Sequence, residues 1–163
     1  MSENNIVIRE ISTADDIQIA EVIRSVLMEL GAPKVGTAYE DEALFKMTET
    51  YKNLKGTYFV VIKDDKVVGG AGISKLEGDE DRICELQKMY FLPEARGIGM
   101  GAKLMEVCLQ KAKDLGFTHC YLETLPYMKG AKKLYAKTGF KNLDAPLGST
   151  GHHACNVWML KTL

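Results

Sequence analysis

A chain of 163 residues can bury a core without disulfides or metal but has no room for a second catalytic domain, so one domain over 1–163 is expected. Hydrophobic residues at 46% and charged residues at 26% exclude disorder and fibrous repeats, and 21 basic against 22 acidic side chains (net charge -1) give no general attraction to nucleic acid or an anionic membrane. A polar opening over residues 1–10, with no later apolar run of spanning length, predicts neither signal peptide nor membrane helix and places the protein in the cytoplasm.

Residues 6–11 alternate as a strand, and Ser12-Thr13-Ala14-Asp15-Asp16 then caps a helix with acids in its first turn. Ile17, Ala20, Ile23, Leu27 and Leu30 recur along that helix at spacings of three and four, and Gly31 marks its end. A loop with Pro33, Gly36 and Thr37 precedes a second helical pattern over 41–53 carrying Leu44, Met47 and Tyr51. Residues 57–63 and 66–73 are β-rich and divided by Asp64-Asp65, a hairpin signal, although Gly69, Gly70 and Gly72 weaken the second run.

A fourth strand over 82–91 leads through Leu92-Pro93-Glu94-Ala95 into a glycine-rich turn and a helix whose stripe is Ile98, Ala102, Met105, Cys108, Leu109, Ala112 and Leu115. A strand at 118–124, a short basic helix at 128–138 closed by Gly139, and strands at 140–143 and 154–160 complete an α/β arrangement around a mixed sheet. Cys84, Cys108, Cys120 and Cys155 form no C-x-x-C pair and sit in apolar segments, so they are expected to be reduced and structural. A metal protein built on His119, Cys120, His152, His153 and Cys155 lacks the ligand spacing of zinc sites, and no metal is expected.

The chemistry concentrates at Arg96-Gly97-Ile98-Gly99-Met100-Gly101-Ala102, between strand and helix. Glycines let backbone N–H groups approach a ligand, and the helix start adds unsatisfied donors and a positive dipole end, so the turn suits an anion such as a pyrophosphate. A dinucleotide fingerprint normally follows the first strand of a βαβ unit, whereas this turn follows the fourth strand. A P-loop needs Gly-Lys-Ser/Thr, whereas here Gly101 precedes Ala102-Lys103-Leu104.

Phe91-Leu92-Pro93-Glu94-Ala95-Arg96-Gly97-Ile98-Gly99-Met100-Gly101 resembles the V-x-P-x-x-R/Q-x-x-G-x-G/A signature of the GNAT superfamily of N-acetyltransferases, with Phe91 in place of valine. Ala131, Leu134, Tyr135, Gly139 and Phe140 match a second block, A-x-x-L-Y-x-x-x-G-F. The resemblance implies a single GNAT-like domain with a mostly antiparallel sheet of about seven strands, splayed between strands four and five and flanked by about four helices. It further implies acetyl-CoA as acyl donor, with its pyrophosphate on the turn from Arg96 to Ala102 and its pantetheine arm paired with backbone at Met89, Tyr90 and Phe91. An extended amide chain can add to a strand edge much as a peptide does.

Tyr135 matches the position where the family commonly places the acid that protonates the departing thiolate. Glu85 and Glu123, unusual within apolar strands, line up with glutamates that some members use as a base, acting directly or through water. Each also admits a salt-bridge role, with Lys88 or Arg82 as partners. Met128 stands where many relatives have a cofactor-contacting asparagine.

The acceptor, a primary amine of a small molecule or peptide, would meet the first two helices, the loop 31–37 and the segment 144–155. His152 and His153 are candidate contacts in a flexible polar stretch that also suits an ordinary sheet connection, and Arg24 is a candidate partner for an acceptor carboxylate. A non-catalytic acyl-CoA-binding or regulatory module is the alternative, against which Tyr135, Glu85 and Glu123 weigh. Oligomeric state is not legible, with a homodimer left open.

Overall fold

The computed structural model describes residues 5–31, 42–52, 55–78, 82–124, 129–151 and 154–163, with backbone alone at 42 and 43. Seven strands among them form one sheet: β1 (Ile6–Glu10), β2 (Gly56–Lys63), β3 (Lys66–Lys75), β4 (Ile83–Phe91), β5 (His119–Thr124), β6 (Lys141–Leu143) and β7 (Val157–Thr162). Their order is β1-β2-β3-β4-β5-β7-β6, and every neighbouring pair is antiparallel except β4 with β5. Four α-helices, α1 (Asp16–Glu29), α2 (Met47–Lys52), α3 (Met100–Asp114) and α4 (Lys129–Thr138), cover its faces.

The two faces follow from strand alternation. Cys84 and Leu86 of β4 with Cys120 and Leu122 of β5 pack under Leu104, Met105 and Cys108 of α3, while Val60 and Tyr58 of β2 pack under Ile19, Ile23 and Leu27 of α1 and Met47 and Tyr51 of α2. Fully buried leucines such as Leu27 and Leu104 each contribute about 1.5–3 kcal/mol through removal from water. Tyr135 joins the α3 side.

The start of the first helix follows the predicted cap, modified by a 3-10 turn over Thr13–Asp15. Asp15 accepts from the Ser12 amide at 2.8 Å and from Arg9 at 2.7 and 3.0 Å. The second helix differs from the single span expected over 41–53. A 3-10 turn at Glu42–Phe45 is followed by the short α2, because Asp16 accepts from both the amide (3.1 Å) and the hydroxyl (2.6 Å) of Thr48 and so caps a fresh helix start. Ile98 also departs from expectation: it lies before α3, exposed, because the helix begins only at Met100.

Asp64 and Asp65 both take positive φ (50° and 64°), the backbone of a two-residue hairpin turn between β2 and β3. The last strand begins at Val157 rather than 154, since its pairing with β5 runs from Thr124–Val157 to His119–Thr162. The glycines of β3 have a partner. A Cβ at Gly70 or Gly72 would lie 2.6 Å from the Tyr58 ring, so these glycines form a trough in which Tyr58 crosses from β2 to β4. Its hydroxyl donates to the Lys88 carbonyl at 2.8 Å.

Candidate active site

Strands β4 and β5 pair only at Ile83–His119, Cys84–Cys120 and Glu85–Tyr121, after which β4 continues beside β3 and β5 beside β7. The separation coincides with a bulge: register with β3 shifts between Gly70 and Gly72, and Lys88 takes a φ of 50°. The carbonyl that Tyr58 holds belongs to this bulged residue, so a buried hydroxyl fixes the bend that parts the strands.

A cavity of about 550 Å³ occupies the gap. Met89, Tyr90 and Phe91 line it from β4, Leu122, Glu123 and Thr124 from β5, Leu134 and Tyr135 from α4, and Val26 and Leu30 from the end of α1.

The glycine turn forms one end of this cavity through Arg96, Gly97, Gly99, Met100 and Gly101, whereas Ile98 and Ala102 do not line it. Gly97 and Gly99 take φ of 75° and 81°, left-handed values that side chains disfavour, and an added Cβ at either would meet nothing within 4 Å. Backbone conformation, not crowding, demands glycine there. Gly101 is different: a Cβ would come within 3.1 Å of Leu134, so its small size lets α3 approach α4. The first turn of α3 carries no acid to oppose an anion at its free N–H groups.

The Arg96 side chain is committed to protein. Its Nε and Nη2 donate to the Phe91 carbonyl at 3.0 and 2.8 Å, while Nη1 and Nη2 grip Glu29 at 3.1 and 2.7 Å. The hydrogen bond from Arg96 holds the Glu29 carboxyl below its ordinary range, so the pair is ionised at neutral pH.

Tyr135 is the buried residue of α4, edge-on to Phe140 with ring centres 6.0 Å apart. Burial pushes its phenol above the ordinary value, so it is neutral at physiological pH. Alternation sets Glu85, Tyr121 and Glu123 on the sheet face opposite Tyr135, and the gap between the strands joins the two faces.

The two glutamates are held differently. Glu85 is buried, and one oxygen accepts from Gln87 Nε2 at 2.6 Å, while Gln87 Oε1 in turn accepts from the Tyr51 hydroxyl. Glu123 lines the cavity, accepting from the Tyr121 hydroxyl at 2.7 Å and from Thr150. Tyr121 also accepts from the Leu147 amide at 3.1 Å, and the Ser149 amide donates to the Glu77 carbonyl at 2.7 Å. The connection between β6 and β7 is therefore tied to β5 and to the turn after β3 over its described part.

Tyr58, Gln87 and Tyr121 were not singled out from sequence, Tyr51 was read only as a stripe residue of the second helix, and Thr150 only as part of the polar segment 144–155. Gln87 offered a signal, a polar residue two positions from Glu85 on the same strand face, but the partners of Tyr58 and Tyr121 are set by tertiary approach alone. Arg24 stacks over the Phe45 ring at 4.7 Å. Met128, His152 and His153, with most of the loop 31–37, lie outside the described residues. Among the described residues no group of three or more His, Cys, Asp or Glu could hold a metal, and no helix is long and apolar enough to cross a membrane.

The profile of the Acetyltransferase (GNAT) family matches residues 24–140. YjgM of Escherichia coli, an uncharacterized N-acetyltransferase, is 43% identical over 158 residues, covering 96% of this chain and 95% of its own. The chain belongs to the GNAT family of acetyltransferases. Two solved structures share the fold. A GNAT-family acetyltransferase of Staphylococcus aureus superposes with a TM-score of 0.86 at 22% identity, over 96% of this chain and 98% of that one. The yncA protein of Salmonella typhimurium, solved with its cofactor acetyl-CoA, superposes with a TM-score of 0.77 at 18% identity, over 97% and 94%.

Proposed function

We propose that the protein transfers an acetyl group from acetyl-CoA to a primary amine of a small molecule or peptide by direct attack. The observation that carries this reading is the parting of β4 from β5, which opens a cavity running from an acid-free helix start to Tyr135. Residues Arg96, Gly97, Gly99, Met100 and Gly101 offer backbone to the pyrophosphate. Met89, Tyr90 and Phe91 lie where β4 has left β5, so the β5-facing edge of that strand is open to the pantetheine amides.

In the reaction the amine nitrogen attacks the thioester carbonyl, forming the C–N bond, and the C–S bond then breaks. Tyr135 gives its proton to the departing thiolate, and Glu85 or Glu123 takes the proton lost by the amine, directly or through water. Proton return from the carboxylate to the phenolate, by way of solvent, restores both groups.

Tyr135→Phe tests the scheme. Burial keeps the phenol protonated, and Phe fills nearly the same volume, so fold and acetyl-CoA affinity should persist while kcat falls by ~10²-fold, the usual scale for a positioned acid. Single-turnover rates should accompany the steady-state values, because amine attack rather than thiolate departure can limit turnover. Wild-type rates in both assays would remove Tyr135 from the mechanism, and absence of CoA release across a broad amine panel would leave a binding module.

A further inference from the structure

Arg96, the charged residue of the glycine turn, invites an obvious assignment as a side-chain ligand of phosphate. Its hydrogen bonds argue otherwise. A guanidinium has five N–H donors in a fixed plane. Four are spent on protein: the Nε and one Nη2 donor on the Phe91 carbonyl, the other Nη2 donor and one Nη1 donor on the Glu29 carboxylate. A single Nη1 donor is left.

The acceptors come from two separate elements. Phe91 is the last residue of β4, whose gap-side edge beyond Glu85 has no strand neighbour among the described residues, and Glu29 is the last residue of α1. Arg96 itself sits between the 3-10 turn Pro93–Ala95 and the first left-handed glycine. One planar group thus joins the end of the strand that edges the cavity, the end of the helix that supplies Val26 and Leu30 to it, and the turn that closes it.

We propose that Glu29 is a positioning residue for cofactor binding: it holds Arg96 as a bracket that sets the backbone of the glycine turn, and the arginine charge is not the phosphate ligand. This rests on the reading that the turn binds the pyrophosphate of CoA. The opposite arrangement, Glu29 restraining an arginine that phosphate would otherwise capture, predicts an effect of opposite sign.

The experiment measures CoA affinity by calorimetry, and kcat and KM for acetyl-CoA, in the full chain and in Glu29→Gln, Arg96→Lys and the double variant. Glu29→Gln should weaken CoA binding about threefold to tenfold, the scale of one exposed but forked ion pair, and raise KM for acetyl-CoA equally with kcat unchanged. Arg96→Lys keeps the charge but loses the fork, so it should weaken binding at least as much, and the double variant should be no worse than Arg96→Lys alone.

Tighter or unchanged CoA binding by Glu29→Gln would overturn the bracket, tighter binding with a steeper salt dependence being the mark of a released phosphate ligand. A fall in Tm beyond roughly 4 °C with kcat and KM both degraded would also overturn it, as a general loss of structure. Failure of the unmodified protein to bind CoA would instead sink the assignment of the turn.

Discussion

Tyr121 joins two parts of the candidate site with one hydroxyl, donating to Glu123 and accepting from the Leu147 amide. With Thr150 on its other oxygen, Glu123 receives two hydroxyl protons, whereas a glutamine offers one carbonyl oxygen to the same pair. Glu123→Gln should therefore release Thr150 or Tyr121 and raise KM for the amine. Glu85 is buried and has Gln87 Nε2 among its donors. Turnover should rise with pH as amine and carboxylate lose protons, and whichever of Glu85→Gln and Glu123→Gln removes the base should flatten that rise. Intact pH–rate profiles in both variants would mean that solvent or the substrate supplies the base. The separate settings of the two glutamates were hidden in the sequence, where both appear only as acids in apolar strands. What distinguishes them lies on Gln87, Tyr121 and Thr150.

At the scale of elements, β3 carries a prediction of its own. Gly70→Ala places a methyl 2.6 Å from the Tyr58 ring and 2.8 Å from the Phe59 carbonyl, and overpacking of this kind costs about 1–3 kcal/mol. The displaced Tyr58 should also release the Lys88 carbonyl, so KM for acetyl-CoA should rise together with the fall in denaturation midpoint. A normal KM in a destabilised Gly70→Ala would separate the trough from the cavity. From sequence these glycines looked like a weakness in a strand, since nothing local names the ring that needs them. The hairpin at Asp64-Asp65 was legible from local turn chemistry, and the turn at Gly97 and Gly99 from glycines between strand and helix, although what demands glycine there is a positive φ. The division of the second helix was not, because its cap, Asp16, lies thirty-two positions from Thr48. Glu29 escaped notice for the same reason: its arginine partner is sixty-seven positions away.

For the whole molecule, the buried phenols set a limit at alkaline pH. Burial raises the values of Tyr58 and Tyr135 above that of a phenol in the unfolded chain, near pH ~10. Their contribution is fully present below about pH 10 and is lost as the pH rises toward the folded values, since the unfolded chain then ionises and the folded one does not. The loss approaches about 1.4 kcal/mol per pH unit for each phenol. Tm measured from pH 8 to 11 should fall steeply above 10, and Tyr135→Phe should make the fall shallower. An equal slope in both proteins would place the alkaline loss elsewhere. The parting of β4 and β5 has a different consequence at this scale. Among the described residues, three register pairs are the whole strand ladder between the half-sheet β1–β4 and the half-sheet β5–β7–β6, flanked only by backbone bonds from Thr118 and His119 to Arg82 and from Ser149 to Glu77. Such a seam is where sub-global opening is cheapest, so the free protein should exchange amide hydrogens as two partly independent units. A ligand lying along the open edge of β4 lengthens that seam, and the two units then open and close as one.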